Sequence, residues 1–202
     1  MKNTPNSAIV SLSTTVHQRI WIPARILPAG GQRLFMPRQT SVPRPICYNP
    51  IGTIRTPWTD IAGMPIQPSG ARGVTGTVTV FDEFADGLQD IEGFTRVILI
   101  YAFHRCTSYD LITRPFLDTT PRGVFATRSP KRPNQIGFSC VRFAGRDGST
   151  LTVEDVDMID GTPLLDIKPY VPAFDAYPDA ACGWLEKVAG NAQSFRSDGR
   201  FR

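Results

Sequence analysis

From about residue 48 onward the chain is dominated by short alternating stretches of apolar and polar positions. Ile51-Gly-Thr-Ile-Arg55 has the period of two of a short strand, broken by Thr56-Pro-Trp58. Thr75-Gly-Thr-Val-Thr-Val-Phe81 is β-branched and alternating and predicts a second strand. Between them, Gly63-Met-Pro-Ile-Gln-Pro-Ser-Gly70 reads as loop. Residues 83–91 place Phe84, Leu88 and Ile91 at helical spacing, with Asp82 positioned as a cap and Gly93 as a stop. Residues 96–103 predict a buried strand and 123–128 another. Residues 138–143 and 150–156 predict a hairpin turning at Asp147-Gly148. A short strand over 164–167 and a closing helix over 179–188 follow, and then a polar tail, 188–202, expected to be flexible. There is no internal repeat and no βαβ period. The expected fold class is mainly β with short helices (α+β), built on an antiparallel sheet or compact barrel.

Composition narrows the class without naming a function. The 202 residues suit one domain, and 41% hydrophobic content is enough for a core. The strongest apolar run, Val97 to Phe103, is far short of the roughly 18 residues of a membrane helix. Cys47, Cys106, Cys140 and Cys182 are widely spaced with no C-x-x-C, so neither a zinc ribbon nor a disulfide scaffold is expected. With only His17 and His104, a histidine-rich metal site is not expected either. A cytoplasmic, reduced setting fits this usage.

Charge is divided unevenly. Residues 1–46 carry six Lys or Arg and no acid, whereas 47–187 hold 13 Lys or Arg against 17 Asp or Glu. The pI of about 9.0 therefore reports basic ends on an acidic body. The leader superficially fits a transit peptide, but Pro23, Pro28, Pro37, Pro43 and Pro45 break any long amphipathic helix. A disordered arm, or a translation start at Met36, is the plainer expectation; a basic arm touching nucleic acid is a third.

Three segments are too unusual to be ordinary turns. In 122–139, Arg128, Lys131 and Arg132 lie within five residues, stiffened by Pro130 and Pro133. Such a segment can grip an anion, and from composition alone a solvated basic loop is an equal alternative. In 157–170, Asp157, Asp160 and Asp166 gather around an Asp160-Gly161 turn and could accept hydroxyl or amine donors, or simply cap their own backbone. His104-Arg105 follows the buried strand directly. No Rossmann glycine fingerprint, P-loop, deaminase signature or nucleophile elbow is present.

At these segments the chain resembles the TsaA-like family, which includes the TrmO tRNA methyltransferases and short VirR-type members from virulence-gene regions. The resemblance lies in Ile51-Gly-Thr-Ile-Arg-Thr-Pro57, Pro65-Ile-Gln67, Ile91-Glu-Gly-Phe94, Phe103-His104, Gly123-Val-Phe-Ala-Thr-Arg128, Arg132-Pro-Asn134 and Asp160-Gly-Thr-Pro-Leu-Leu-Asp-Ile-Lys-Pro-Tyr-Val-Pro172. It implies a non-Rossmann β-barrel domain over 47–187 that binds S-adenosylmethionine, forms a homodimer and methylates N6 of threonylcarbamoyladenosine at tRNA position 37. By the same resemblance the cofactor contacts fall on Pro65, Ile66, Gln67, His104, Arg105, Arg128, Phe138, Asp157, Met158, Ile159 and Asp160. Lys131, Arg132 and Asn134 are the candidate substrate contacts, and Asp160 the candidate acceptor for the N6 hydrogen.

The sequence departs from the family pattern in places. Ile66 stands where bacterial members usually have arginine, and Gln135 where proline is usual. Longer bacterial members also carry a further C-terminal domain, so weaker tRNA binding is expected here. The alternative from another class is a non-catalytic S-adenosylmethionine-binding regulator.

Overall fold

The computed structural model describes residues 46–201. The expectations for the basic leader, and for a start at Met36, fall outside the described residues. Six strands close an antiparallel barrel: β1 (Gly52–Arg55), β2 (Thr75–Val80), β3 (Arg96–Ala102), β6 (Ile136–Asp147), β7 (Thr150–Glu154) and β8 (Thr162–Pro169). Around the barrel they run β1-β2-β7-β6-β3-β8, and β8 pairs back to β1. Two short strands, β4 (Ile112–Thr113) and β5 (Arg122–Gly123), pair separately in the long excursion between β3 and β6.

The alternation seen in sequence is the barrel's inside and outside. Val97, Leu99 and Tyr101 of β3 point inward, and so do Ile54, Val78, Val141, Leu151, Val153 and Leu164 from the other strands. Closure leaves the barrel no open strand edge. The long β6 serves two neighbours, β3 along its first half and β7 along its second, with a register shift between Phe143 and Gly145 where the strand bends.

Local structure departs from the sequence expectation at several points. The helix expected over 83–91 is a pair of 3-10 turns, Asp82–Leu88 and Ile91–Gly93, and Asp82 makes no side-chain cap. With a left-handed Asp90 between them, the two turns cannot merge into an α-helix. The strand expected over 123–128 ends at Gly123 and gives way to a 3-10 turn, Val124–Ala126, that sinks Val124 into the interior. The closing helix shrinks to Gly183–Leu185.

The polar tail is the largest correction. Residues 189–193 form a 3-10 turn, Ala192 and Phe201 are buried, and Phe201 packs edge-to-face on Phe116 at 4.9 Å. Backbone bonds Gly63 N–H to Ser197 O (2.7 Å) and Ser197 N–H to Met64 O (2.9 Å) tie this segment to the 63–67 loop. Its two phenylalanines outweigh its polar composition, because each finds an aromatic partner in Phe116.

Candidate functional site

The cleft begins where β7 ends. Asp155 adopts φ +69°, a left-handed turn that aspartate tolerates better than bulkier residues. Its carboxylate holds that turn by accepting from Gly73 N–H (3.0 Å) and pairing with Arg96 (3.2 Å). The chain then runs as 156–160 along one side of a cleft of about 1280 Å³. Residues 56–58 clamp this run from behind: Thr56 Oγ1 donates to Met158 O and Trp58 Nε1 to Val156 O, both at 2.8 Å.

Three loops and one strand face supply the remaining walls. Pro65, Ile66 and Gln67 come from the loop pinned by the C-terminal segment, and His104 and Arg105 from the end of β3. Phe138 projects from the outer face of β6, 49% exposed, and Arg128 lies over its ring at 5.7 Å. Arg128 Nη1 donates to Gln67 Oε1 at 2.9 Å, which joins two loops that are 61 residues apart in sequence. Asp157, Met158 and Ile159, also implied by the resemblance, line it as well.

Four expected site residues stand differently. Asp160 lies outside the cleft lining: its carboxylate accepts from Thr56 N–H (3.1 Å) and pairs with Arg55 (3.2 Å). The Thr56 bond first, and Arg55 after it, hold its pKa below the usual carboxylate range. It is a turn residue that docks 158–161 on the end of β1, a poor position for a proton acceptor. Lys131 and Asn134 do not line the cleft. Arg132 does, but its Nη1 donates to the carbonyls of Thr127 (3.1 Å) and Ser129 (3.4 Å), so it braces the loop that carries Arg128.

Electrostatics in the cleft oppose those of the body. Arg72, Arg105, Arg128 and Arg132 line it with no ion-paired carboxylate among the described residues, and the acids of the lining are Asp155, already paired with Arg96, and Asp157, on which Arg128 acts. Many of the body's acids are spent on pairs elsewhere, such as Asp118 with Arg122 and Glu154 with Arg142. Burial lowers the His104 pKa, with Arg105 adding to it, so that imidazole is neutral at pH 7. Burial moves Asp157 the other way, up to about 7, against the opposing pull of the Ser139 hydrogen bond and Arg128.

Sequence reasoning missed Arg72 and Tyr101 in the lining, Ser139 hydrogen-bonded to Asp157 behind it, and the wall contributed by Trp184, Ala192 and Phe201. Trp184 Nε1 donates to Ala126 O at 2.8 Å, and Arg122 stacks on its ring at 5.5 Å. Aromatic residues in an otherwise polar terminal stretch were the signal for this wall.

A closed antiparallel barrel with an Arg-lined cleft beside an aromatic and apolar wall defines a non-Rossmann ligand-binding protein. The chain belongs to the tRNA-methyltransferase O N-terminal domain family, whose model matches residues 53–176. A Pyrococcus abyssi protein described as "Probable S-adenosyl-L-methionine-binding protein" is 51% identical over 160 residues, covering 79% of this chain and 87% of that one. The Escherichia coli tRNA (adenine(37)-N6)-methyltransferase is 32% identical, over 75% of this chain and 69% of that protein. The crystal structure of TrmO from Pseudomonas aeruginosa superposes with a TM-score of 0.60 at 36% identity, over 70% of this chain and 63% of that one.

Proposed function

We propose that this protein is an S-adenosylmethionine-dependent tRNA methyltransferase acting at N6 of threonylcarbamoyladenosine in position 37. The observation that carries the reading is the cleft itself: arginines without ion pairs, an aromatic face and the Asp157 carboxylate converge there, on a body whose net charge is negative. The residues present fit the cofactor. Arg128 suits a methionine carboxylate through a charge-assisted hydrogen bond. Phe138 and Met158 offer apolar surface to a purine, and backbone groups of 157–159 can meet its polar edge. When bound, the cofactor supplies an electrophilic methyl group on a positive sulfur. The protein's share is alignment, which contributes up to ~7–11 kcal/mol of a barrier when reactants are well placed.

Arg72 extends the positive lining beyond the residues assigned to the cofactor, which suits the phosphates of a single-stranded RNA loop. The homodimer belongs to the same proposal. Phe125, 76% exposed, and Phe138 present apolar surface around the cleft that a second copy can cover.

The test is mass spectrometry of nucleosides from tRNA incubated with the purified protein and S-adenosylmethionine. Methyl should appear on threonylcarbamoyladenosine and not on unmodified adenosine. Cofactor binding without transfer to any tRNA would replace the enzyme with a binding module, the description borne by the P. abyssi relative.

A further inference from the structure

A polar chain runs out of the barrel interior into the cleft, and no role assigned so far uses it. Tyr101 of β3 and Ser139 of β6 both point inward among Val97, Leu99 and Val141, where an unpaired polar group costs a great deal. Ser139 Oγ donates to Asp157 Oδ1 at 2.6 Å, and Tyr101 Oη lies 3.0 Å from Ser139 Oγ. A hydroxyl has one proton to give. Ser139 commits its own to the carboxylate, so Tyr101 must donate to Ser139. The two donors therefore run in one direction, toward Asp157, and each polarises the next.

The backbone is arranged to permit this. Gly137 sits directly across from Tyr101 in the β3–β6 ladder, and a β-carbon there would stand 2.5 Å from the ring's Cζ. Without that β-carbon the ring lies flat across the strand, and its hydroxyl reaches Ser139, two residues further along. With Oδ1 held from behind by Ser139, Oδ2 is left for a ligand in the cleft that Asp157 lines.

We infer that Asp157 accepts the proton from the N–H that is methylated, with Ser139 and Tyr101 as positioning residues behind it. This rests on the methyltransferase reading proposed above. N6 of a carbamoylated adenine shares its lone pair with the adjoining carbonyl, so it becomes a competent nucleophile only as its hydrogen is withdrawn. In the step, N6 bonds to the methyl carbon and the carbon–sulfur electron pair stays on sulfur, which becomes neutral. The N6 proton goes to Asp157 Oδ2 and is later lost to solvent. Atoms and charge balance with no further reactant.

The charged or titratable groups facing Asp157 are Arg128 from the 124–132 loop and Tyr101 from β3. Burial raises the Asp157 pKa to about 7, while Ser139, its own backbone N–H and Arg128 pull it down. A carboxylate near neutrality is both substantially ionised and basic enough to take a proton at physiological pH. The base must be ionised to act, so turnover should rise as pH increases through about 7. Removing the Ser139 donor should raise the pKa and carry that rise to higher pH.

The full-length protein should be assayed with S-adenosylmethionine and threonylcarbamoylated tRNA as a function of pH. Calorimetric titration of the cofactor and the 13C carboxyl resonance of Asp157 without substrate should be measured alongside. Asp157→Asn should lose about 100-fold or more in kcat while cofactor affinity stays within a few-fold. Ser139→Ala should fold, keep its cofactor affinity, and shift both the rate profile and the carboxyl titration upward by about one unit. An Asp157 resonance titrating near 4, a profile unmoved by Ser139→Ala, or an Asp157→Asn protein that loses only cofactor affinity would each overturn the inference. Wild-type protein that binds cofactor but methylates nothing would remove the enzyme reading, and the proton acceptor with it. Wild-type turnover matched by undiminished Asp157→Asn turnover would overturn the acceptor alone.

Discussion

Replacing Arg128 with alanine separates a ligand-gripping residue from a framework residue. The guanidinium is exposed, makes no ion pair among the described residues, and touches Gln67 Oε1 at 2.9 Å and the Phe138 ring at 5.7 Å. Loss of those two contacts should cost no more than about 1 kcal/mol of folding stability, a shift in Tm of ~2–4 °C for a chain of this size. A charge-assisted bond to a ligand carboxylate contributes about 1.5–3 kcal/mol. The cofactor Kd should therefore rise about 10- to 150-fold. Calorimetric titration of S-adenosylmethionine beside a melting curve reads both quantities on one preparation. Arg128 also draws the Asp157 pKa down, so the variant's carboxyl should titrate at higher pH than the wild type's. A Tm loss well beyond 4 °C with unchanged Kd would show Arg128 to be part of the framework and refute the reasoning.

Two further substitutions probe the parts behind the cleft. Gly137→Ala drives a methyl group into the Tyr101 ring and should cost ~1–3 kcal/mol, seen as a Tm fall of roughly 2–12 °C by calorimetry; an unchanged Tm would mean the ring does not lie across Gly137. Phe201→Ala removes the ring seated on Phe116 at 4.9 Å. The segment can detach without opening the barrel, so proteolysis within 189–201 should accelerate and cofactor affinity fall while the main unfolding transition holds.

The barrel was legible in sequence because its strands are half-buried on alternate positions. Val97, Leu99 and Tyr101 on β3, and Leu151 and Val153 on β7, leave a period of two that survives without any alignment. The cleft was legible chiefly through resemblance, since Pro65, Arg128 and Asp157 lie far apart in the chain and meet only through the barrel's closure. Asp160 was misread for a physical reason: a carboxylate in an Asp-Gly turn looks alike whether it faces a ligand or docks on Arg55. The Tyr101–Ser139–Asp157 chain was invisible because inward polar residues on a strand occupy the same alternate positions as apolar ones. The C-terminal wall was hidden by composition, in which two phenylalanines are diluted among Ser, Asn, Gln and Arg.

That wall has a bearing on how the protein comes into being. All six barrel strands are complete at Pro169, so a growing chain can fold its barrel while the residues that pin the 63–67 loop are still being added. Until Ser197 reaches Met64 and Phe201 reaches Phe116, one side of the cleft is missing and the Pro65–Gln67 loop has no partner strand. Nascent protein would thus hold its small ligand weakly, however well its barrel had formed. Tight binding therefore waits on residues 189–201, as a consequence of chain order, and the molecules that compete for the cofactor are those in which this segment has already been added and docked.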